Sequence, residues 1–346
     1  MESQEQIEQW KEKISHIHPN DAWVENYRNY VNQLEKKEIP VIFDLKHLAQ
    51  LLDIDLNIVS HFCGKPHDFY RVFEIPKRSG GTRIIESPLP ELIEAQRWIK
   101  TNILDQLYIS SAAHGFSKGK TIITNASAHL GNQQILKMDI RDFFPSIRQN
   151  RIIGLFRSLG YSWKVCVLLS QVCSSNGRLP QGAATSPALS NILFFAADCR
   201  LKALADDLGV TYTRYADDLT FSSQKLPPRL DKTVSKILKE CDFSPNERKT
   251  RLLLERNQKK IITGISVGSG KLRIPRASKR LIRSAVHNAL YDKFSITERL
   301  TKDPYFYDRL LGRIRFWLQV EPNCKYARSA NNNITQFLKN TEAQIR

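Results

Sequence analysis

Two adjacent acids set between two β-rich runs, in VTYTRYADDLTFSS (210–223), constrain this chain more than any other feature. The flanking runs are rich in β-branched and aromatic residues, as strands are, and a tight connection is expected at Ala216-Asp217. Side by side at a hairpin tip, Asp217 and Asp218 repel each other, which is poor turn chemistry unless something positive sits between them. A third acid has similar surroundings: in ILKMDIRDFFPSI an apolar run ends at Asp139, which predicts a strand over Gln134–Ile140. Brought together on neighbouring strands, Asp139 and Asp217 suit hard divalent cations, which bind through carboxylates plus substrate phosphates. Two such ions ~4 Å apart serve phosphoryl or nucleotidyl transfer. Adjacent acids alone signify little, since Asp206-Asp207 is another such pair. Their conjunction with Asp139 and with the loop Leu179-Pro180-Gln181-Gly182 is specific.

Charge points the same way. The chain carries 52 Lys+Arg against 35 Asp+Glu, a net of +17, which predicts a polyanionic partner. The excess is uneven: residues 1–60 hold 6 basic and 11 acidic side chains, whereas residues 271–346 hold 16 and 6. Six cysteines form no C-x-x-C pair and have no His pair at zinc-ligand spacing, so buried reduced thiols are expected. The acidic start MESQEQIEQWKEK does not resemble a signal peptide, and the longest apolar stretch, Ile192–Ala197, is too short to span a bilayer. A soluble cytoplasmic protein without a membrane partner is expected.

Helical periodicity runs through residues 1–60, and FYRVFEIPKRSGGTRIIESP reads as a hairpin turning at Ser79-Gly80-Gly81. A helix is predicted over Pro90–Leu107, followed by a polar, Gly-containing stretch (114–131). Beyond the Asp139 strand come a helical region over 149–173 and a helix from about Pro187 to Leu208. A helix over roughly 229–241, a strand or hairpin over 251–274, and a helical last 70 or so residues complete the chain. Strands and helices interleave without strict βαβ alternation, which favours an α+β fold over a doubly wound sheet.

YADD between strands, DIRDFFPSI and LPQGAATSPALSN resemble, in this order, the palm motifs of reverse transcriptases, from about Tyr70 to Gly264. Asn125-Ala126-Ser127-Ala128-His129 and Ile262-Thr263-Gly264, with Ile in place of Val, are similar to elements of the retron members of that family. The resemblance implies a right-hand architecture of fingers, antiparallel-sheet palm and helical thumb, with an N-terminal helical extension. The expected division is 1–60 (N-terminal helices), 61–268 (fingers and palm) and 269–346 (basic thumb). It implies a metal-binding triad of Asp139, Asp217 and Asp218, helped by the Ile140 carbonyl and holding two Mg²⁺ ions, with Mn²⁺ a substitute. Phe144 falls at the steric-gate position, although beside Phe143 it also reads as a core aromatic. Gln181 and Gly182 are expected at the nucleotide and template base, Lys77 and Arg83 at the triphosphate, and Lys249 at the departing pyrophosphate.

RNA contacts are expected from Asn125, His129, Thr263, Gly264, Arg276, Lys279, Arg280 and Arg283, with a structural histidine the other reading of His129. What a retron enzyme does is implied in turn. It binds its own structured noncoding RNA, primes DNA synthesis with dNTPs from a guanosine 2′-hydroxyl, and yields a branched RNA–DNA hybrid, usually beside an effector protein in phage defence. The length leaves no room for an RNase H domain, so RNA removal is expected to fall to host RNase H. Two alternatives remain open: another defence-associated bacterial reverse transcriptase with different priming, and a catalytically idle RNA-binding polymerase fold.

Overall fold

The fold is given by a computed structural model that describes residues 21–77, 80–254, 258–268, 270–291 and 303–345. Three helices come first: α1 (Asp21–Glu35), α2 (Leu45–Leu52) and α3 (Leu56–Gly64). Asp44 and Asp55 cap α2 and α3 by accepting from the backbone N–H groups of His47 and Asn57. The predicted helical pattern of residues 1–20 lies outside the described residues. Next, β1 (Tyr70–Pro76) and β2 (Thr82–Pro88) pair antiparallel from Tyr70↔Pro88 to Pro76↔Thr82, giving the expected hairpin. The helix predicted over 90–107 is α4 (Pro90–Asn102) followed by a 3₁₀ turn at Leu104–Gln106.

The polar stretch after it holds a short helix, α5 (Ile122–Ser127), that periodicity does not reveal. It is set by a capping box in which the Thr121 hydroxyl accepts from the Thr124 N–H and the Thr124 hydroxyl from the Thr121 N–H. Then come β3 (Gln134–Asp139), the single turn α6 (Phe143–Ser146), α7 (Gln149–Leu159) and α8 (Trp163–Cys173). The helix predicted over 187–208 is two, α9 (Ser186–Leu193) and α10 (Phe195–Asp207). The acidic hairpin is β4 (Thr211–Tyr215) and β5 (Asp218–Ser223), followed by α11 (Leu230–Glu240), β6 (Arg251–Leu253), and a small ribbon of β7 (Ile261–Ile262) and β8 (Ile265–Ser266). The chain closes with α12 (Arg276–Tyr291), α13 (Phe306–Val320) and α14 (Lys325–Ile345).

The central sheet runs β4-β5-β3-β6, antiparallel throughout. Period-2 alternation divides its side chains between two faces. One face offers Leu136, Met138, Tyr212, Leu219 and Phe221 to the main core, which they share with α3, α4, α7, α8, α10 and α11. Also on this face is a fully buried cation. Arg214 donates from Nη2 to Asp198 Oδ2 at 2.7 Å and from Nε to Oδ1 at 3.0 Å, and Tyr212 Oη reaches the same carboxylate at 2.8 Å. Its guanidinium lies 4.5 Å from the Phe194 ring centre, and Nη1 donates to Asn191 Oδ1 and to the carbonyl of Ala216, both at 3.1 Å. The opposite face carries Ile135, Lys137 and Asp139. Its lower half is covered by α5 and the β7–β8 ribbon, where Ala126, Ile135, Ile262 and Ile265 join a second core with α12–α14.

Removing one partner from a buried ion pair strands the other charge in a dry interior. Asp198→Ala is therefore expected to lower the unfolding free energy by about 3–5 kcal/mol, as measured by urea denaturation.

Candidate active site

Strand register builds the acidic cluster. Asp139, the last residue of β3, lies directly across from Asp218, the first of β5. Asp217 occupies the β4–β5 turn with Ala216, which sits in the left-handed region at φ 55°. The turn is tied down on both sides: the Ile140 N–H donates to the Asp217 carbonyl at 3.0 Å, and the Ala216 carbonyl accepts from Arg214. The three acids foreseen from the sequence therefore meet at one end of the sheet.

Around Asp139 the chain adds two groups from a loop. Lys249 Nζ lies 2.7 Å from Asp139 Oδ2, and Asn246 Nδ2 donates to Oδ1 at 3.0 Å. Lys137, Arg251, Lys249, Asp139, Asp218 and Met138 line a single cleft. Burial, then the neighbouring charges of Asp218 and Asp139, push the Asp217 carboxyl up to about 6. Burial likewise raises Asp218, against the pull of Lys137. For Lys249, burial works against the charge, but the hydrogen bond and charge of Asp139, with Asp217 and Asp218, outweigh it and raise its pKa.

Among the described residues no three acid, His or Cys side chains form a ready metal-binding cluster. Asp139 is engaged by Lys249 and Asn246. The donor chemistry nevertheless fits a hard cation: carboxylate oxygens on facing strands, held close against their own repulsion.

Other foreseen residues lie as follows. Phe144, on α6, is half-buried with its ring centre 5.5 Å from that of Phe143. The Gln181 carbonyl accepts from the Glu86 N–H at 2.9 Å, joining the Leu179–Gly182 loop to β2. Gly182 is at φ +139°, and a Cβ there would meet the Glu86 carbonyl oxygen at 2.5 Å, so the approach requires glycine. Lys77 and Arg83 are exposed on the β1–β2 hairpin.

The foreseen RNA contacts divide. Arg276, Arg280 and Arg283 are exposed on α12, and Thr263 and Gly264 form the exposed or half-buried β7–β8 turn. Lys279 instead pairs with Glu321 at 2.7 Å and lies 5.2 Å from the Trp317 ring centre, so it joins α12 to α13. Asn125 and His129 are buried against the sheet. His129 is fully buried, with Nδ1 2.6 Å from Ser222 Oγ and Nε2 2.7 Å from Thr213 Oγ1. Asn125 Oδ1 accepts from the same Thr213 hydroxyl at 2.6 Å. Both side chains fasten α5 and its flank to the sheet. Sequence reading missed Asn246, Lys137 and Arg251. Lys137 was open to detection, because it precedes Asp139 by two positions and so shares its strand face.

The family model for reverse transcriptase (RNA-dependent DNA polymerase) matches residues 75–279, and the chain belongs to that family. It is 33% identical over 285 residues to the retron Ec86 reverse transcriptase of Escherichia coli, covering 78% of this chain and 86% of that protein. To the retron Mx162 reverse transcriptase of Myxococcus xanthus it is 39% identical over 254 residues, 63% of this chain. The chain spans about half the length of that protein, 52%. Within the family its place is among the retron reverse transcriptases. Likeness to solved structures is looser: a telomerase from Candida albicans, in complex with a fragment of telomeric RNA, gives a TM-score of 0.43 at 13% identity over 72% of this chain and 54% of that one, too loose to bear on the assignment.

Burial, and then the charge of His114, lower the His129 pKa from the ordinary 6.5 to about 3. The folded protein keeps this ring neutral while the unfolded chain protonates it below about 6.5. Its contribution to stability is therefore full above pH 6.5 and is lost progressively as the pH falls towards 3. His114, lowered to about 4 mainly by burial, adds to the same window. His129→Ala is expected to cost ~1–3 kcal/mol at pH 7.5, because two buried hydroxyls lose a partner. Unfolding measured between pH 7 and 4 should show a shallower pH dependence in the variant than in the parent.

Proposed function

We propose that this chain copies RNA into DNA at the acidic end of the β3–β5 pair. The observation that carries the reading is the position of Asp139 opposite Asp218, one residue from Asp217 at the turn. Asp139, Asp217 and Asp218, with the Ile140 carbonyl, are the groups that would hold two Mg²⁺ ions, or Mn²⁺ in their place. When bound, the ions supply activation of the attacking hydroxyl and neutralisation of the phosphate charge. The remaining work belongs to side chains. Lys77 and Arg83 take the triphosphate of the incoming dNTP, one as a point charge and the other as a bidentate fork. Phe144 walls the sugar and rejects a 2′-hydroxyl. Gln181 and Gly182 pack on the nucleotide and template base, and Lys249 brings positive charge to the departing pyrophosphate.

The template in this reading is a structured noncoding RNA specific to the enzyme, primed from a guanosine 2′-hydroxyl to give a branched RNA–DNA hybrid. The exposed arginines of α12 and the Thr263-Gly264 turn hold that RNA and the growing duplex, with residues 269–346 acting as thumb, 61–268 as fingers and palm, and 1–60 as a helical extension. Phosphate contacts of this kind weaken steeply with salt. A cytoplasmic site of action, removal of RNA by host RNase H, and an antiphage role beside an effector protein complete the proposal. Kinship with the retron enzymes supports them.

Extension of a primed RNA of defined sequence with dNTPs and Mg²⁺ tests the activity. The parent should write the complementary DNA, and Asp217→Ala/Asp218→Ala should lose about a thousandfold or more, the several kcal/mol that metal-bound charge contributes. Equal extension by both proteins would leave an idle RNA-binding fold. The priming is tested by sequencing the nucleic acid that copurifies: one structured RNA joined 2′–5′ to DNA is expected, and unjoined DNA would point to another primer.

A further inference from the structure

Phe116 is a bulky backbone outlier near the site. It lies at φ 59°, in the left-handed region, where a bulky aromatic residue is a genuine exception. Such a conformation persists only when the surroundings over-determine it. They do so here. The segment before it runs beside β4, with the Arg214 N–H donating to the Ala112 carbonyl at 2.8 Å and the His114 N–H to the Arg214 carbonyl at 2.7 Å. Gly115 then lies against the catalytic turn so closely that a Cβ would come within 2.6 Å of the Ala216 nitrogen. The Gly115 carbonyl accepts from Asn191 Nδ2 at 2.9 Å, and Ser117 Oγ donates to the Ala113 carbonyl at 2.8 Å. With the backbone fixed on both sides, the Phe116 side chain is turned outwards, 49% exposed, and its ring centre lies 6.2 Å from that of Phe144.

A half-exposed ring on a strained backbone adds little to folding, because it removes little apolar surface from water. Its use lies in what it touches. We propose that Phe116 is a positioning residue for sugar selection: its ring backs that of Phe144 and, tied through Gly115 to the Ala216-Asp217 turn, sets the distance between the sugar wall and the catalytic acids. This rests on the reading of Phe144 as that wall.

The experiment compares kcat/KM for a dNTP and the matching rNTP on one primed RNA. The proteins compared are the parent, Phe144→Ala, Phe116→Ala, Phe116→Tyr and the double alanine variant. Phe144→Ala should raise relative rNTP use about tenfold or more, and Phe116→Ala about threefold or more. Phe116→Tyr should restore the parent ratio, and the double variant should not exceed Phe144→Ala, as expected for residues acting through one another. Relaxation by Phe144→Ala with an unchanged ratio in Phe116→Ala overturns this inference and leaves the wall in place. Relaxation by Phe116→Ala alone overturns the route through Phe144, and no relaxation in either variant overturns both readings. Phe116→Gly relieves the backbone and should melt no lower than the parent, so altered selectivity in that variant reports the lost ring and not a lost fold.

Discussion

The pairing register of β3 with β5 decides everything built on the sheet. Leu136, Met138, Leu219 and Phe221 are buried in the main core, so the opposite residues of each strand must emerge on the other face. A slip of one residue would exchange the faces, drive Lys137 and Asp139 into the core and expose the apolar set. Hydrophobic burial behind them thus excludes a one-residue slip, and the Ile140 N–H bond to the Asp217 carbonyl holds the register in which the acids meet. Their mutual repulsion is imposed by packing on the far side of the strands, and the positive charges of Lys249 and Lys137 stand in the same cleft to offset it.

Register fixes which residues face each other, but a turn needs its own support. Arg214 supplies it from within the core, at the cost of burying a cation. Asp198 balances the charge, Asn191 takes another donor, Phe194 lies over the guanidinium, and the donor left over meets the Ala216 carbonyl. Asn191 also holds the Gly115 carbonyl. One buried polar cluster therefore locates both the acidic turn and the segment that presents Phe116, and a shift in either is felt by the other.

The acids and their hairpin were legible in the sequence because their signals are local: alternation, adjacent charge, a strand that ends on a carboxylate. The buried polar links were not. Arg214 looks like an ordinary outward residue of a strand, and nothing near it in sequence announces Asp198 sixteen positions earlier. Asn125 and His129 sit in a polar stretch and so read as surface, yet their partners Thr213 and Ser222 are more than eighty residues away. The helix α5 escaped for a related reason: six residues are too few for periodicity, and its capping box uses Thr124 where Glu or Gln is the usual signal. Splits such as α9 and α10 fall inside one continuous helical pattern, where only the path of the backbone separates them.

The C-terminal charge shows how a composition argument must be refined by contacts. Residues 271–346 carry a large basic excess, but some of it is structural. Lys279 reaches Glu321 and the Trp317 ring, and Arg283 lies 5.0 Å from the Tyr326 ring centre and 5.8 Å from that of Trp317. These contacts join α12 to α13 and α14, so replacing either cation removes packing as well as charge. Arg276, Arg280 and, beside its ring contacts, Arg283 are exposed on the same helix, where charge is available to a polyanion. A single helix thus divides its cations between holding the second core together and meeting phosphate, and net charge alone does not separate the two uses.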